Sequence, residues 1–324
     1  MKKRIKCRFL CPETCIRTLV EEKFEIDDDA EPDFVICGCG QLAEVLQYDC
    51  VRILYIGENI RPDFNYFDYA WSFDKIQFGD RSLYYPLYVF PDYRPRLETA
   101  MQKHLRSEAY FLGKEKFCNI VVTNVNSSSD VRYRFFQELD RYSHVDSGGR
   151  AFNNLADGKN VEDKRSFQEQ YRFTIAFENS SYPGYATEKI IDAWAAGTIP
   201  IYWGDPTIGE QFNEEAFVNC HRYADFTEVV QAVREINEDR SRYLAMQQAP
   251  ILKDPNPLEE ILRPEYFRDW LFGILDQDPQ AAIRRTNAHD GWGYYMERDA
   301  KRHAEMDESK LVRVAYKLSR MLRR

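Results

Sequence analysis

The chain has 324 residues, 44% of them hydrophobic and 30% charged, an ordinary balance for a globular protein with room for two cores. A formal net charge of -9 excludes a general nucleic-acid binder, which needs a positive field to neutralise phosphates. No apolar run is long enough for a membrane-spanning helix, and Lys6, Arg8 and Glu13 interrupt any signal-like segment after Lys2, Lys3 and Arg4. A cytoplasmic location is therefore expected, with the eight cysteines as reduced thiols.

From the N-terminus, short runs rich in β-branched and aromatic residues predict buried parallel strands at Ile5–Leu10, Asp33–Cys37, Val51–Ile56 and Tyr69–Phe73. Helices are expected over Thr14–Lys23 and Gln41–Tyr48. Cys7, Cys11 and Cys15 are evenly spaced, but they form no CxxC pair and have no nearby histidine, so no metal site is read from them. Cys37, Cys39 and Cys50 read as small buried residues. The run Asp27, Asp28, Asp29 reads as a solvated acidic turn, not a metal site.

The charged stretch Arg94–Lys116 is helix-prone and reads as a crossover into a second series. That series is a strand at Cys118–Thr123, a helix at Arg132–Tyr142, a strand at Phe173–Phe177, a helix at Glu188–Ala196, a strand at Ile199–Trp203 and one long helix at Phe226–Gln247. Strand–helix alternation implies two α/β, doubly wound parallel sheets, with ligands beyond the carboxyl ends of the strands. The expected divisions are 1–115, 116–275 and a helical tail, 276–324. No strong period appears between Asp276 and Asp307. Beyond it, Leu311, Ala315, Leu318 and Leu322 follow helical spacing among Lys310, Arg313, Lys317, Arg320, Arg323 and Arg324. Such a basic amphipathic helix suits peripheral contact with an anionic membrane, or packing on its own domain; residues 310–324 leave both open.

The most informative stretch is FTIAFENSSYPGYATEKIIDAWAAGTIPIYWGDP, Phe173 to Pro206. Its strand ends in Glu178 and Asn179, at the edge where ligands sit. Pro183 and Gly184 mark a loop, and Thr187 is placed to cap the next helix. Glu188 and Lys189 open that helix, whose positive end and exposed N–H groups suit a phosphate. Glu188 reads either as a ribose-diol acceptor or as a complement to the helix dipole. The absence of a GxGxxG or P-loop pattern lowers the nicotinamide and ATP readings.

This segment resembles the signature of the α-1,3/α-1,4-fucosyltransferases, glycosyltransferase family ten. The carrying runs are FEN, GYATEKI and GTIPIYWG, with LYIGEN at Leu54–Asn59, FDYAWSFD at Phe67–Asp74, RYRFFQEL at Arg132–Leu139 and VDSGG at Val145–Gly149. Ala186 stands where most members have valine. The resemblance implies a GT-B fold, two facing Rossmann-like domains with an interdomain cleft, and transfer of fucose from GDP-fucose to an oligosaccharide or glycoconjugate acceptor. The implied acceptor group is the GlcNAc 3-hydroxyl of N-acetyllactosamine-type chains.

Carried over by residue, the resemblance implies donor roles for Arg132, Asn179, Tyr185, Glu188 and Lys189, with Arg134, Thr123, Asn124 and Glu178 as further candidates. Arg132 and Lys189 would neutralise the diphosphate and Glu188 would take the ribose. Glu58, in GEN after the strand Val51–Ile56, is implied as the catalytic base of an inverting transfer. No obligatory cofactor is implied, and a divalent ion is expected to be at most stimulatory. A non-catalytic glycan or nucleotide-sugar binder, a membrane-surface scaffold, and an enzyme of the same architecture with another donor, acceptor or linkage are the competing readings.

Overall fold

A computed structural model of the protein describes residues 2–11, 14–124, 130–286 and 291–308. Its contacts group into two compact units, one of residues up to Tyr85 and from Pro264 onward, the other Pro86–Arg263. The basic segment 310–324 lies outside the described residues.

In the first unit, β1 (Lys3–Ile5), β2 (Cys7–Phe9), β3 (Phe24–Ile26), β4 (Phe34–Gly38), β5 (Val51–Tyr55), β6 (Tyr69–Ser72) and β7 (Ser82–Tyr84) are all parallel to their neighbours. The main sheet runs β2-β4-β5-β6-β7, and β1 pairs with β3 in a separate two-stranded sheet. The single strand expected at Ile5–Leu10 is thus two. The chain changes neighbours at Lys6, whose carbonyl accepts from the N–H groups of both Asp33 and Phe34. Every side chain of β5 is buried, as both-face coverage of a parallel sheet demands. Arg52 is the polar exception, held by the carbonyls of Tyr48 and Tyr66 and by Glu297. The helix Thr14–Lys23 has the expected bounds, whereas the expected helix at Gln41–Tyr48 shrinks to Leu42–Val45. Cys39 falls past the end of β4 and is only partly buried.

Three helices, the shortest of them Pro279–Ala282, return to this unit after the second one is complete. Pro264–Leu275 buries Phe267, Leu271 and Phe272, with Phe267 against Trp71 and Phe272 against Phe24 at 5.0 and 5.6 Å between ring centroids. The chain therefore leaves the unit after Tyr85 and returns at Pro264, which differs from the expected cuts at 115 and 275. Trp292–Glu308 is a helix where the sequence has no apolar period. Charge anchors it instead: Glu297 lies 2.8 Å from Arg52 and 3.8 Å from Arg285, both outside the helix.

In the second unit, β8 (Lys116–Ile120), β9 (Val145–Ser147), β10 (Tyr171–Phe177), β11 (Ile199–Trp203) and β12 (Val218–Asn219) form a parallel sheet in the order β12-β11-β10-β8-β9. Its core joins Ile175, Phe177, Ile199 and Ile201 of the sheet to Phe135 and Leu139 of the helix Val131–Tyr142 and Val229 and Val233 of the helix Phe226–Glu238. The long helix expected at Phe226–Gln247 is broken at Asp239. That carboxylate accepts from the N–H groups of Ser241 and Arg242 and starts a second helix, Arg240–Gln248. The helix-prone stretch after Arg94 divides into Arg94–Met101 and Glu108–Leu112.

Candidate functional site

The strand order of the second sheet reverses between β8 and β10: from β8 the chain goes outward to β9, and later strands stack on the other side. At such a switch point the two outgoing connections diverge and leave a crevice beyond the strand ends. A 460 Å³ cavity lies there. Val121, Val122, Thr123 and Asn124, just past β8, form one wall. Arg132, Asn179, Glu188 and Lys189 supply its polar groups, and Lys164 joins them.

Glycine makes the wall possible. A Cβ on Gly149 would stand 2.1 Å from the carbonyl oxygen of Val122, so the VDSGG turn can pass beneath the cavity only without a side chain. Gly204 plays the same part under WGDP, where a Cβ would meet Glu178 Cγ at 2.4 Å.

Arg132 opens the helix Val131–Tyr142. Asp130 caps that helix through the Arg132 N–H and also grips the guanidinium, Nε and Nη2 lying 2.9 and 2.5 Å from its two oxygens. The remaining edge of the fork turns to Asn179, Nη1 donating to Oδ1 at 2.9 Å. A planar cation fixed at two sides presents a set direction to a ligand.

Glu178 is fully buried at the end of β10 and organises the start of the helix Glu188–Ala195. It accepts from the Thr187 N–H and hydroxyl, each at 2.7 Å, and from Lys189 Nζ at 2.8 Å. Thr187 occupies the expected N-cap position, but its hydroxyl accepts from no backbone N–H of the helix; it donates to Glu178 and accepts from Lys189 Nζ at 2.8 Å. Burial pushes the Glu178 carboxyl up, against the pull of Lys189. Burial would lower Lys189, yet Glu178 and Glu188 outweigh it and raise the ammonium above its ordinary value. For Glu188 burial pushes upward too, but Lys189 and then Lys164 hold the carboxyl below its ordinary range.

Six of the expected residues, Thr123, Asn124, Arg132, Asn179, Glu188 and Lys189, thus line one cavity. Of the rival arginines, Arg132 is there, while Arg134 points to solvent on the same helix. Tyr185 is buried and off the cavity wall, in the loop whose Gly184 N–H is held by Asp205 at 2.7 Å. Glu178 is a support beneath the wall. Glu58 belongs to the other unit, exposed, three residues beyond the carboxyl end of β5. Lys164, Asp130 and Asp192 were missed. Asp130 carried a signal, an acid two residues before the arginine at a helix start. Lys164 carried none, since it follows an unpatterned loop.

Among the described residues no group of three or more His, Cys, Asp or Glu is placed to hold a metal ion. Burial raises the thiols of Cys7, Cys118 and Cys220 far above the ordinary range and those of Cys37 and Cys50 to about 12, so these five are inert side chains.

Family models match both units. Residues 8–91 match the model described as the alpha-(1,3)-fucosyltransferase FucT N-terminal domain, and 111–248 match that of the glycosyltransferase family 10 (fucosyltransferase) C-terminal region. The chain belongs to glycosyltransferase family 10. As a family 10 member it is 36% identical over 236 residues to the alpha-(1,3)-fucosyltransferase FucT of Helicobacter pylori, covering 64% of this chain and 48% of that protein. A human 4-galactosyl-N-acetylglucosaminide 3-alpha-L-fucosyltransferase 9 is 28% identical over 135 residues, 41% of this chain and 36% of its own length. The chain therefore spans about half the length of the first relative and about a third of the second. A crystal structure of alpha1,3-fucosyltransferase with GDP-fucose superposes with a TM-score of 0.67 at 26% identity, covering 89% of this chain and 94% of that one. The α/β, GT-B class expected from the sequence agrees with that likeness and with the two parallel sheets.

Proposed function

We propose that this family 10 chain transfers fucose from GDP-fucose to the 3-hydroxyl of a GlcNAc in an N-acetyllactosamine-type acceptor, inverting the anomeric carbon. The observation that carries the proposal is the cavity at the β8–β10 switch point, where Arg132 and Lys189 flank Glu188 and Asn179. Support for the donor comes from the GDP-fucose complex of a similar protein, and support for the acceptor from the printed name of the human relative.

In this reading Glu188, held ionised by two lysines, accepts the ribose diol. Arg132 and Lys189 face the diphosphate and strengthen their hold as the bond from anomeric carbon to phosphate oxygen breaks and GDP leaves with the electron pair. Asn179 orients phosphate or fucose beside the Arg132 fork. Tyr185, being buried, acts by shaping the loop between Asn179 and Thr187. Glu58 takes the proton from the acceptor hydroxyl as its oxygen bonds to the anomeric carbon on the face opposite GDP. No step needs a metal, because the cavity brings its own cations. Among the described residues no helix is long and apolar enough to cross a membrane. The basic segment 310–324 is proposed as a peripheral contact with an anionic inner membrane face.

The deciding measurement follows GDP release with GDP-fucose and N-acetyllactosamine, and reads the product linkage by NMR. An α-linked fucose on the GlcNAc 3-hydroxyl supports donor, acceptor and reaction together. Fucose on a 4-hydroxyl or on another sugar keeps the donor and replaces the acceptor. Failure to bind GDP removes the proposal.

A further inference from the structure

Each of the three cations on the cavity wall is matched by a carboxylate, and the three pairs are built differently. Arg132 is gripped along one edge, through Nε and Nη2, by both oxygens of Asp130. Lys189 neutralises Glu178, a carboxylate with no exposed surface. Drawing Lys189 away would leave that buried charge without a counter-ion. Lys164 differs. Its Nζ lies 2.7 Å from Asp192 Oδ2, and the other oxygen, Oδ1, is 3.0 Å from Arg96 Nη1. Asp192 is itself buried, on the helix Glu188–Ala195 one turn beyond Glu188, so two cations share one carboxylate.

We infer that Lys164 is a movable diphosphate ligand, exchanged from Asp192 to the donor's phosphates while Arg96 keeps Asp192 neutralised. This rests on the donor reading given above. Three features favour the exchange. Lys164 lines the cavity, whereas Arg96 does not; Arg96 instead lines an adjoining 460 Å³ cavity together with Asp192 and Lys164. The Lys164 side chain is one-third exposed, room enough to swing on its four-carbon stem. Its root is fixed, because Asp163 caps the short helix Lys164–Gln168 and accepts from the Ser166 N–H and hydroxyl at 3.1 and 2.6 Å.

The arrangement also solves a charge problem. Arg132, Lys164 and Lys189 are cancelled by Asp130, Asp192 and Glu178, and Glu188 adds a further negative charge, so a diphosphate would enter a site with no positive excess. Arg96 brings the cations to four, equal to the four carboxylates. By taking over Asp192, it lets Lys164 carry a positive charge to the anion without stranding a buried carboxylate.

The test is isothermal titration of the full chain with GDP and with guanosine, alongside donor kinetics. Lys164→Met should weaken GDP by about tenfold or more, the cost of one charge-assisted hydrogen bond, and leave guanosine within about twofold. Lys164→Arg should recover most of the GDP affinity. Arg96→Met should weaken GDP by a similar factor although Arg96 lies off the cavity, because Asp192 then retains Lys164. Equal losses for GDP and guanosine in Lys164→Met would mean a structural role and overturn the inference. Unchanged GDP affinity in Arg96→Met would overturn the exchange while leaving Lys164 a ligand. A wild-type chain that binds neither compound defeats the donor reading itself, an outcome separate from both.

Discussion

The two units are built on sheets of equal size and like direction, yet only one has a reversal in strand order. The first sheet proceeds β2-β4-β5-β6-β7, each strand added beside the last, whereas the second turns back between β8 and β10. The reversal opens a crevice at the strand ends, and there the helix starts and the polar side chains converge. The first unit offers Glu58 on an exposed connection after β5. On the proposed function, similar layers serve different ends: one would hold a charged ligand among many contacts, and the other would present a single reactive group.

Buried charge follows the same division. In the first unit the buried arginines Arg52 and Arg285 are met by Asp68 and Glu297. In the second, Lys103 is fully buried and donates to a carbonyl, that of Met246, with Arg106 as a repelling neighbour. Lys114 donates to the carbonyls of Glu169 and Ala196. The first unit pairs its buried arginines, and the second, besides the ion pairs at its cavity, holds two lysines in surroundings that favour the neutral form.

The largest expected effect tests the division of labour. Glu58→Gln should reduce transfer by about a thousandfold, within the usual range for a lost general base, with GDP affinity unchanged by calorimetry. A loss of GDP binding would place Glu58 in donor recognition and erase the contrast. Next comes Gly149→Ala, which sets a methyl group against the Val122 carbonyl and must displace the cavity wall. GDP affinity should fall by about tenfold or more and the midpoint of thermal unfolding should drop, as overpacking costs about 1–3 kcal/mol. A variant with normal affinity would show that the wall after β8 does not touch the nucleotide.

Much of this was legible in the sequence because the second unit concentrates its constraints. Ile199–Trp203 matches residue for residue, and GG and WG mark places where backbone must pass close to Val122 and Glu178. Asn179, Glu188 and Lys189 come from one strand–loop–helix segment, so a local pattern contains them. Lys164 and Asp192 meet only through folding, from elements 28 residues apart, and no local period encodes an ion pair. The first unit was less legible for a related reason. Its helix Trp292–Glu308 is held by Glu297 on Arg52, separated by 245 residues, and not by an apolar stripe. The strands β3, β7, β9 and β12 have only two or three residues each, too short for a period to register. Asp239 hid its helix break because the residues on either side both favour helix.

The contrast in buried charge gives a smaller, pH-dependent effect. Burial and then Arg106 lower Lys103 from 10.5 to about 7, and the same two influences lower Lys114 from 10.5 to about 8, with Glu169 opposing. Between pH 7 and 10.5 the unfolded chain keeps the Lys103 proton that the folded chain has released, so raising the pH favours folding. The stabilisation is complete above 10.5 and is lost as the pH falls towards 7; for Lys114 the window is 8 to 10.5. Denaturant midpoints should therefore climb across this range, and Lys103→Met should remove part of the slope. An unchanged slope would mean that Lys103 finds a counter-ion on folding, as Arg52 does.

The smallest expected effect concerns metal. In the second unit Arg132, Lys164 and Lys189 stand on the wall of one cavity, and Lys189 is held protonated by two carboxylates. A divalent ion at the diphosphate would compete with Arg132, Lys164 and Lys189 for the same phosphate oxygens. Chelation with EDTA should therefore change the transfer rate by no more than about twofold, the scale of a screened and redundant charge. The same experiment on Lys164→Met sharpens the point. If the movable lysine supplies the third charge, magnesium should restore part of the lost rate in the variant and leave the wild type unaffected. Strong inhibition of the wild type by EDTA would show that the cavity's own cations are insufficient, and the ledger of pairs would need an ion in it.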